Sequence, residues 1–153
     1  MKLFVDSNVV IDALVDRGPS HSAARLLLGL GQIGEFELWA SPTQWTDMFY
    51  ILSEGGKPSR RVEVKSKLSA VREAVHVSMM GETEIDKALS SAWEDLEDAV
   101  VYRAACAVSP EALITSNVKD YELSEIPVYT PESLFAWLED KHGIIYAELP
   151  GIM

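Results

Sequence analysis

The chain of 153 residues has a formal net charge of −11, with 48% hydrophobic and 24% charged residues. These values are typical of one globular domain with its own core, and the acidic charge disfavours binding of nucleic acid by bulk attraction alone. The single cysteine, Cys106, excludes an internal disulfide framework and indicates a reducing compartment, the cytoplasm. Because no apolar run approaches the roughly 20 residues that cross a bilayer and no signal peptide precedes the first strand, we expect neither a membrane span nor export.

Strand and helix patterns alternate through the first half of the chain. Turn signals separate the helices, and Ser41-Pro42 combines a preferred helix cap with proline at the first helical position. The predicted elements are a strand at 2–5, a helix at 8–15 capped by Asp6 or Ser7, a helix that starts after Ser20 and is ended by Gly31 and Gly34, a strand at 36–40, a helix from 41 through 52, and a long helix from Ser59 to about Val75.

The second half continues the same alternation. The predicted elements are a short strand at 76–79, helices near 83–92 and 95–108, a strand at 112–115, a short strand at 127–129, and a final helix from Thr130 to about Asp140 with a short apolar tail beyond Gly143. Strands that alternate with helices of ten or more residues predict a parallel sheet covered by helices on both faces. The chain has no internal repeat or linker, so we predict one domain over residues 1–153.

Four polar residues stand at the ends of predicted strands or on the helices that follow them. Asp6 closes the first strand, Asp47 and Asp98 lie on helices, and Asn117 follows the strand at 112–115. The carboxyl ends of parallel strands share one edge of a sheet, so residues far apart in sequence converge there. Carboxylate and amide oxygens form a hard anionic site that suits Mg²⁺ or Mn²⁺, and through them phosphate chemistry.

Each of these residues has an ordinary structural explanation when it is taken alone. Asp6 is also a suitable helix cap, and acids such as Asp47 and Asp98 in the first turns of a helix are favoured by the helix dipole. Asn117 is also a common turn residue. The joint occurrence of the four at successive strand–helix junctions is what favours a functional site.

Four segments resemble the motifs of the PIN domain family. The opening run Leu3-Phe4-Val5-Asp6-Ser7-Asn8-Val9-Val10-Ile11-Asp12 looks like the start of a PIN domain, and Ser41-Pro42 followed by Asp47 resembles the second motif. Glu97-Asp98-Ala99 with Ala104-Ala105 resembles the third. The run Leu113-Ile114-Thr115-Ser116-Asn117-Val118-Lys119-Asp120-Tyr121 resembles the fourth, where the family often shows Thr-x-Asn or Thr-x-Asp and then Asp-Phe. The resemblance extends from Lys2 to about Leu138.

The resemblance implies a three-layer α/β/α fold and a metal-dependent endoribonuclease that uses Mg²⁺ or Mn²⁺. Many small members of the family are toxins of toxin–antitoxin pairs, which implies RNA as substrate, an antitoxin protein as partner, and a homodimer. By position, the implied metal ligands are Asp6, Asp98 and Asn117, and Asp47 completes the acidic pocket. Thr115 would orient Asp6 by a hydrogen bond, and Asp120 is a further supporting residue. Asp95 is the rival of Asp98 for the third acid.

Two departures from the family pattern leave an alternative open. The family usually has Glu at the position of Asp47, so this side chain is one methylene shorter, and the fourth position is the amide Asn117. Both changes weaken metal affinity in principle. The alternative is a catalytically degenerate PIN fold that serves as an RNA- or protein-binding module. A receiver-like phosphoacceptor is disfavoured, because no acid follows a central strand with a suitable lysine near the last one.

A basic stretch interrupts the acidic composition. Between Lys57 and Arg72 the chain has six cations and one acid, Glu63. One interpretation is a solvated helix face, and the other is an RNA-binding surface that guides the substrate to the acidic pocket. The candidate RNA-binding residues are Arg60, Arg61 and Lys65.

Overall fold

The structure, a computed structural model, describes residues 1–147. Residues 148–153, which the sequence analysis placed in the same domain at the end of the apolar tail, lie outside the described range. The described chain contains a five-stranded sheet in the order β3-β2-β1-β4-β5, and every neighbouring pair is parallel. Its strands are β1 (Lys2–Val5), β2 (Glu37–Ala40), β3 (Val75–Val77), β4 (Ala112–Ile114) and β5 (Val128–Tyr129).

Helices connect these strands as the alternating pattern predicts. They are α1 (Ser7–Leu14), α2 (His21–Gln32), α3 (Pro42–Leu52), α4 (Arg61–Ala74), α5 (Glu82–Leu89), α6 (Leu96–Val108) and α7 (Pro131–His142), with 3₁₀ helices at Pro58–Arg60 and Val118–Tyr121. Within residues 1–147 no helix is both long enough and apolar enough to traverse a bilayer.

The two faces of the sheet are buried by different helices. On β1, Leu3 and Val5 point to one face and pack with residues of α1 to α4 and α7, whereas Phe4 points to the other face and packs with α6. The same alternation on β4 places Leu113 beside Phe4. The predicted three-layer α/β/α architecture is therefore confirmed.

The elements around β3 differ from the sequence-based prediction. The helix predicted from Ser59 begins as a 3₁₀ turn at Pro58–Arg60, and the α-helix starts only at Arg61. The strand predicted at 76–79 begins one residue earlier, because Val75 pairs with Leu38 in the sheet. A buried β-branched residue is better satisfied in the sheet than as the last residue of a helix.

The start of α3 is tied to the end of β1. Gln44 is 1% exposed. Its side-chain amide donates to the carbonyl of Val5 at 2.8 Å and its amide oxygen accepts from the backbone N–H of Ser41 at 2.7 Å. These two bonds hold the first turn of α3 at the carboxyl edge of the sheet, and with it the helix that carries Asp47.

Candidate active site

Asp6 and Thr115 meet at the carboxyl edge of the two central strands. Val5 of β1 is in register with Ile114 of β4, and the backbone N–H of Asp6 donates to the carbonyl of Ile114 at 2.8 Å. The residues that follow these strands are therefore neighbours although 109 positions separate them. The expected hydrogen bond is present, with Thr115 Oγ1 donating to Asp6 Oδ2 at 2.9 Å.

The Asp6 carboxylate is held by several donors. The backbone N–H of Ser7 donates to Oδ1 at 2.8 Å, which makes Asp6 the cap of α1, and Asn8 Nδ2 lies 3.4 Å from Oδ2. Burial raises the pKa of Asp6 above its ordinary value, and the hydrogen bonds from Thr115 and Ser7 oppose that rise. The Asp6 carboxylate is thus fixed in orientation, but its hydrogen bonds only partly offset the cost of burying its charge.

Asp98 joins Asp6 from the other side of the edge. It lies in the first turn of α6, where its backbone N–H donates to Asp95 Oδ1 at 2.9 Å. The pKa of Asp98 rises from its ordinary 3.8 to about 7, mainly through burial and then through the charges of Asp95, Asp120 and Asp6. Asp95 therefore caps the helix, and its charge also acts on Glu97 and Asp98.

The loop after β4 adds Asp120 and Asn117. Asn117 Nδ2 donates to Asp120 Oδ2 at 2.8 Å, and the backbone N–H of Asn117 donates to Thr115 Oγ1 at 3.1 Å. The charge of Asp120 raises the pKa of both Asp6 and Asp98. Asn117 thus orients Asp120 and supports Thr115, and its side-chain oxygen is the atom left for a ligand.

The charge of Asp47 acts on Glu97, a residue that the sequence analysis did not select. Glu97 has its pKa raised by burial first, and then by the charges of Asp47, Asp95 and Asp6. The acids of α3 and α6 therefore face one another across the edge of the sheet. We refer to Asp6, Asp47, Glu97, Asp98 and Asp120 as the acidic cluster.

Comparison with known proteins agrees with the motifs in the sequence. The profile of the PIN domain family matches residues 2–119. The chain belongs to the PIN domain family. The relative Ribonuclease VapC1 of Aquifex aeolicus (strain VF5) is 31% identical in an alignment of 143 positions that covers 86% of this chain and 91% of that protein.

Two solved structures share the PIN fold with this chain. VapBC2 from Rickettsia felis, bound to a DNA fragment from its promoter, superposes with a TM-score of 0.63 at 15% identity and covers 85% of this chain and 98% of that one. A toxin–antitoxin complex from Klebsiella pneumoniae gives a TM-score of 0.54 at 22% identity, with 86% and 98% covered. At these identities the two structures show the fold alone.

Three residues at the candidate site were not selected in the sequence analysis: Gln44, Glu97 and Tyr121. Glu97 stands in a run of acids, and no spacing rule separates it from its neighbours. Gln44 carries no signal of its own. Tyr121 did carry one, because this chain has tyrosine where the family motif often shows phenylalanine, and its phenol lies close enough to Asp6 to lower the pKa of that carboxyl.

The donor set of the acidic cluster fits a divalent cation chemically. Within residues 1–147, no three carboxylate, histidine or cysteine side chains are grouped closely enough to form a ready-made cation cage. Mg²⁺ does not need one, because proteins usually hold it through one or two carboxylates with water at the remaining positions. Asp6 and Asp98 fit that requirement, since a cation between them would relieve the repulsion and desolvation that raise both pKa values.

A cleft of about 380 Å³ opens beside Asp98 and Asp120. Trp93 and Lys119 form part of its wall, so an aromatic surface and one positive charge lie next to the acids. Trp93 is stacked on Tyr102 with ring centroids 4.6 Å apart, which fixes its orientation. Two members of the acidic cluster, Asp98 and Asp120, therefore line an opening to solvent.

The candidate RNA-binding residues lie on the first turns of α4 and at the end of the 3₁₀ helix that precedes it. Arg60 forms an ion pair with Glu54 at 3.6 Å, and Arg61 Nε donates to the carbonyl of Gly56 at 2.9 Å. Lys65 is exposed and lines a groove together with Trp45. Arg60 and Arg61 thus have structural contacts in the α3–α4 connection, so substituting them would also disturb the fold. Substitution of the exposed Lys65 tests RNA contact more directly.

Replacing Thr115 by Val is expected to destabilise the fold by about 1–3 kcal/mol, because it removes the donor that lies 2.9 Å from Asp6 Oδ2 and the side-chain acceptor of the Asn117 N–H. Thr115 is fully buried, so water cannot take over either bond readily. Thr115→Ser is the matched control, since it keeps the hydroxyl. Urea unfolding of the three proteins measures the difference, and equal stability of Thr115→Val and wild type would show that the hydroxyl does not hold the site.

Proposed function

We propose that this PIN domain is a divalent-cation-dependent endoribonuclease and the toxin of a toxin–antitoxin pair. The observation that carries the proposal is the acidic cluster, in which burial and neighbouring charges raise the pKa of Asp98 to about 7. Side chains held in this way gain from a cation, and a divalent cation can activate water and neutralise phosphate oxygens in phosphodiester hydrolysis. The similarity to a protein named Ribonuclease VapC1 supports RNA as the substrate.

The residues of the site have distinct tasks in this proposal. Asp6 and Asp98 hold the cation, with Asn117 contributing its side-chain oxygen directly or through water. When bound, Mg²⁺ or Mn²⁺ would activate water and neutralise the non-bridging oxygens of the scissile phosphate. Thr115 and Ser7 fix the Asp6 carboxylate so that its oxygens keep one direction. Hydrolysis adds water across one P–O bond, and the cleft beside Asp98 is the way in for the strand.

The direct test is cleavage of single-stranded RNA by the purified protein. Cleavage in Mg²⁺ or Mn²⁺ that is abolished by EDTA and restored by added cation supports the proposal. Calorimetry with Mn²⁺ on wild type and Asp6→Asn measures the site independently of activity. A protein that binds no Mn²⁺ and cleaves no RNA would instead be the degenerate binding module, which the short Asp47 and the neutral Asn117 keep as the second candidate.

The toxin assignment has its own test. The two structural neighbours are a VapBC complex and a toxin–antitoxin complex, which supports an antitoxin as the partner of this chain. Expression of the chain alone in a bacterial host is expected to arrest growth, whereas Asp6→Asn should not. Analytical ultracentrifugation of the purified protein tests the homodimer that we propose from the family.

Replacing Lys65 by Gln is expected to weaken RNA binding and to lower the salt slope of log Kobs by about 0.7, the contribution of one phosphate contact on a single strand. Fluorescence anisotropy of labelled RNA in EDTA measures binding without cleavage. Lys141→Gln on α7 is the control, since it removes an equal charge outside the basic stretch. Equal slopes for Lys65→Gln and Lys141→Gln would remove α4 from the RNA-binding surface.

A further inference from the structure

Tyr121 is a buried tyrosine whose hydroxyl has no partner of ordinary hydrogen-bond geometry among the described residues. The residue is 2% exposed and ends the 3₁₀ helix that follows Asn117. Its ring packs in the same hydrophobic cluster as Phe4 and Leu113, edge-on to Trp93 at 5.7 Å between centroids. Among residues 1–147, no atom accepts from or donates to its phenol oxygen with ordinary hydrogen-bond geometry.

A buried unpaired hydroxyl is unfavourable for folding. Phenylalanine would fill the same volume without leaving a polar atom unsatisfied. Within residues 1–147, the benefit of the Tyr121 hydroxyl is its effect on the Asp6 carboxyl rather than a well-formed hydrogen bond. An unsatisfied polar group that persists at such a position requires another explanation.

The phenol points at the acidic cluster. Burial raises the pKa of Tyr121 first, and the charges of Asp6 and Asp98 raise it further, so the hydroxyl keeps its proton beside them. In return the hydroxyl lowers the pKa of Asp6, which is the effect of a donor near a carboxylate. Hydrogen bonds in unliganded sites are often long or poorly aligned and tighten only when the ligand binds.

We propose that Tyr121 is a positioning residue, whose phenol donates a hydrogen bond to the Asp6 carboxylate when a divalent cation occupies the site. The inference rests on the proposed cation site and goes beyond it. Thr115 and Ser7 hold the carboxylate from one side of the edge, and Tyr121 supplies the opposing donor from the 3₁₀ helix. With that donor in place, Asp6 presents a fixed oxygen to the cation, since outer partners of a ligand set its orientation and affinity.

The test compares Tyr→Phe variants at two tyrosines, Tyr121 and Tyr102, that belong to the same hydrophobic cluster. Tyr121→Phe is expected to weaken Mn²⁺ binding about tenfold, within the range seen when an outer partner of a metal ligand is removed. Its melting temperature in EDTA should equal or exceed that of wild type, because the unpaired hydroxyl is gone. Tyr102→Phe is the control, since the Tyr102 hydroxyl accepts from the backbone N–H of Glu125 at 3.0 Å. That variant should melt lower and bind Mn²⁺ as wild type does.

Calorimetry with Mn²⁺ and thermal melting in EDTA give both quantities without RNA. Tyr121→Phe should weaken Mn²⁺ binding without lowering the melting temperature. Replacement of a tyrosine with only a structural role would do the reverse, lowering the melting temperature and leaving Mn²⁺ binding unchanged. Mn²⁺ affinity of Tyr121→Phe within twofold of wild type would overturn the inference and leave the proposed function intact. A marked loss of stability in that variant would overturn it as well. Absence of Mn²⁺ binding by wild type would instead contradict the cation site itself.

Discussion

Replacement of Asp6 or Asp98 by Asn is expected to lower RNA cleavage by about a thousandfold. Metal-ion stabilisation of a developing charge is worth several kcal/mol, and each 1.36 kcal/mol corresponds to a factor of ten in rate. Asn preserves the shape of each side chain, and at position 6 its oxygen still accepts from Thr115 or Ser7. The fold should therefore persist while the negative charge that holds the cation is lost. Single-turnover cleavage of a labelled RNA in Mn²⁺ measures the rate.

The control for this experiment is Asp95→Asn. Asp95 accepts the backbone N–H of Asp98 as the cap of α6, and Asn is as good a cap as Asp. Asp95→Asn should therefore cleave RNA within a few-fold of wild type. A large loss in Asp95→Asn together with near-normal cleavage by Asp98→Asn would exchange the roles of the two acids. Full cleavage by Asp6→Asn would contradict the proposed site.

The meeting of Asp6 and Thr115 was expected from the resemblance to the PIN domain family, and it agrees with the rule that the carboxyl ends of parallel strands share an edge. The neighbours of each strand were not predictable, since the pairing of β1 with β4 depends on how the intervening helices cover the sheet. The motif resemblance compensated for this, as it placed the two residues in one site without knowledge of strand order.

The different positions of Asp95 and Asp98 on α6 required the structure. Both stand in one acidic run, and the residue that faces the site depends on where α6 begins. The capping bond from Asp98 N to Asp95 fixes that start and leaves Asp98 in the first turn. Tyr121 is a similar case, because only the 3₁₀ helix at Val118–Tyr121 turns its phenol towards Asp6. Helix termini and short turns are the least predictable parts of a chain, and here they orient two residues of the site.

In the absence of divalent cations, Asp98→Asn is expected to be more stable than wild type above pH 7. The pKa of Asp98 is about 7 in the folded protein and 3.8 as its ordinary value, so the unfolded chain releases this proton first as pH rises. Wild type therefore loses stability progressively between about pH 4 and pH 7, and the loss is complete above the folded pKa. Asn carries no such penalty. Urea unfolding in EDTA at pH 4 and pH 8 should show the variant gaining on wild type only at the higher pH.

Saturating Mn²⁺ should shrink that difference at pH 8. A cation that binds only the folded state stabilises it by about 2.7 kcal/mol at a concentration of 100 times Kd. Wild type receives this gain, whereas Asp98→Asn lacks one of the two ligating carboxylates and receives less. Asp140→Asn on α7 is the control, because it removes the same charge away from the acidic cluster and should gain as much from Mn²⁺ as wild type does. An Asp98→Asn variant that gains as much from Mn²⁺ as wild type would place the cation elsewhere. A smaller gain confined to Asp98→Asn would identify Asp98 as a ligand of the cation.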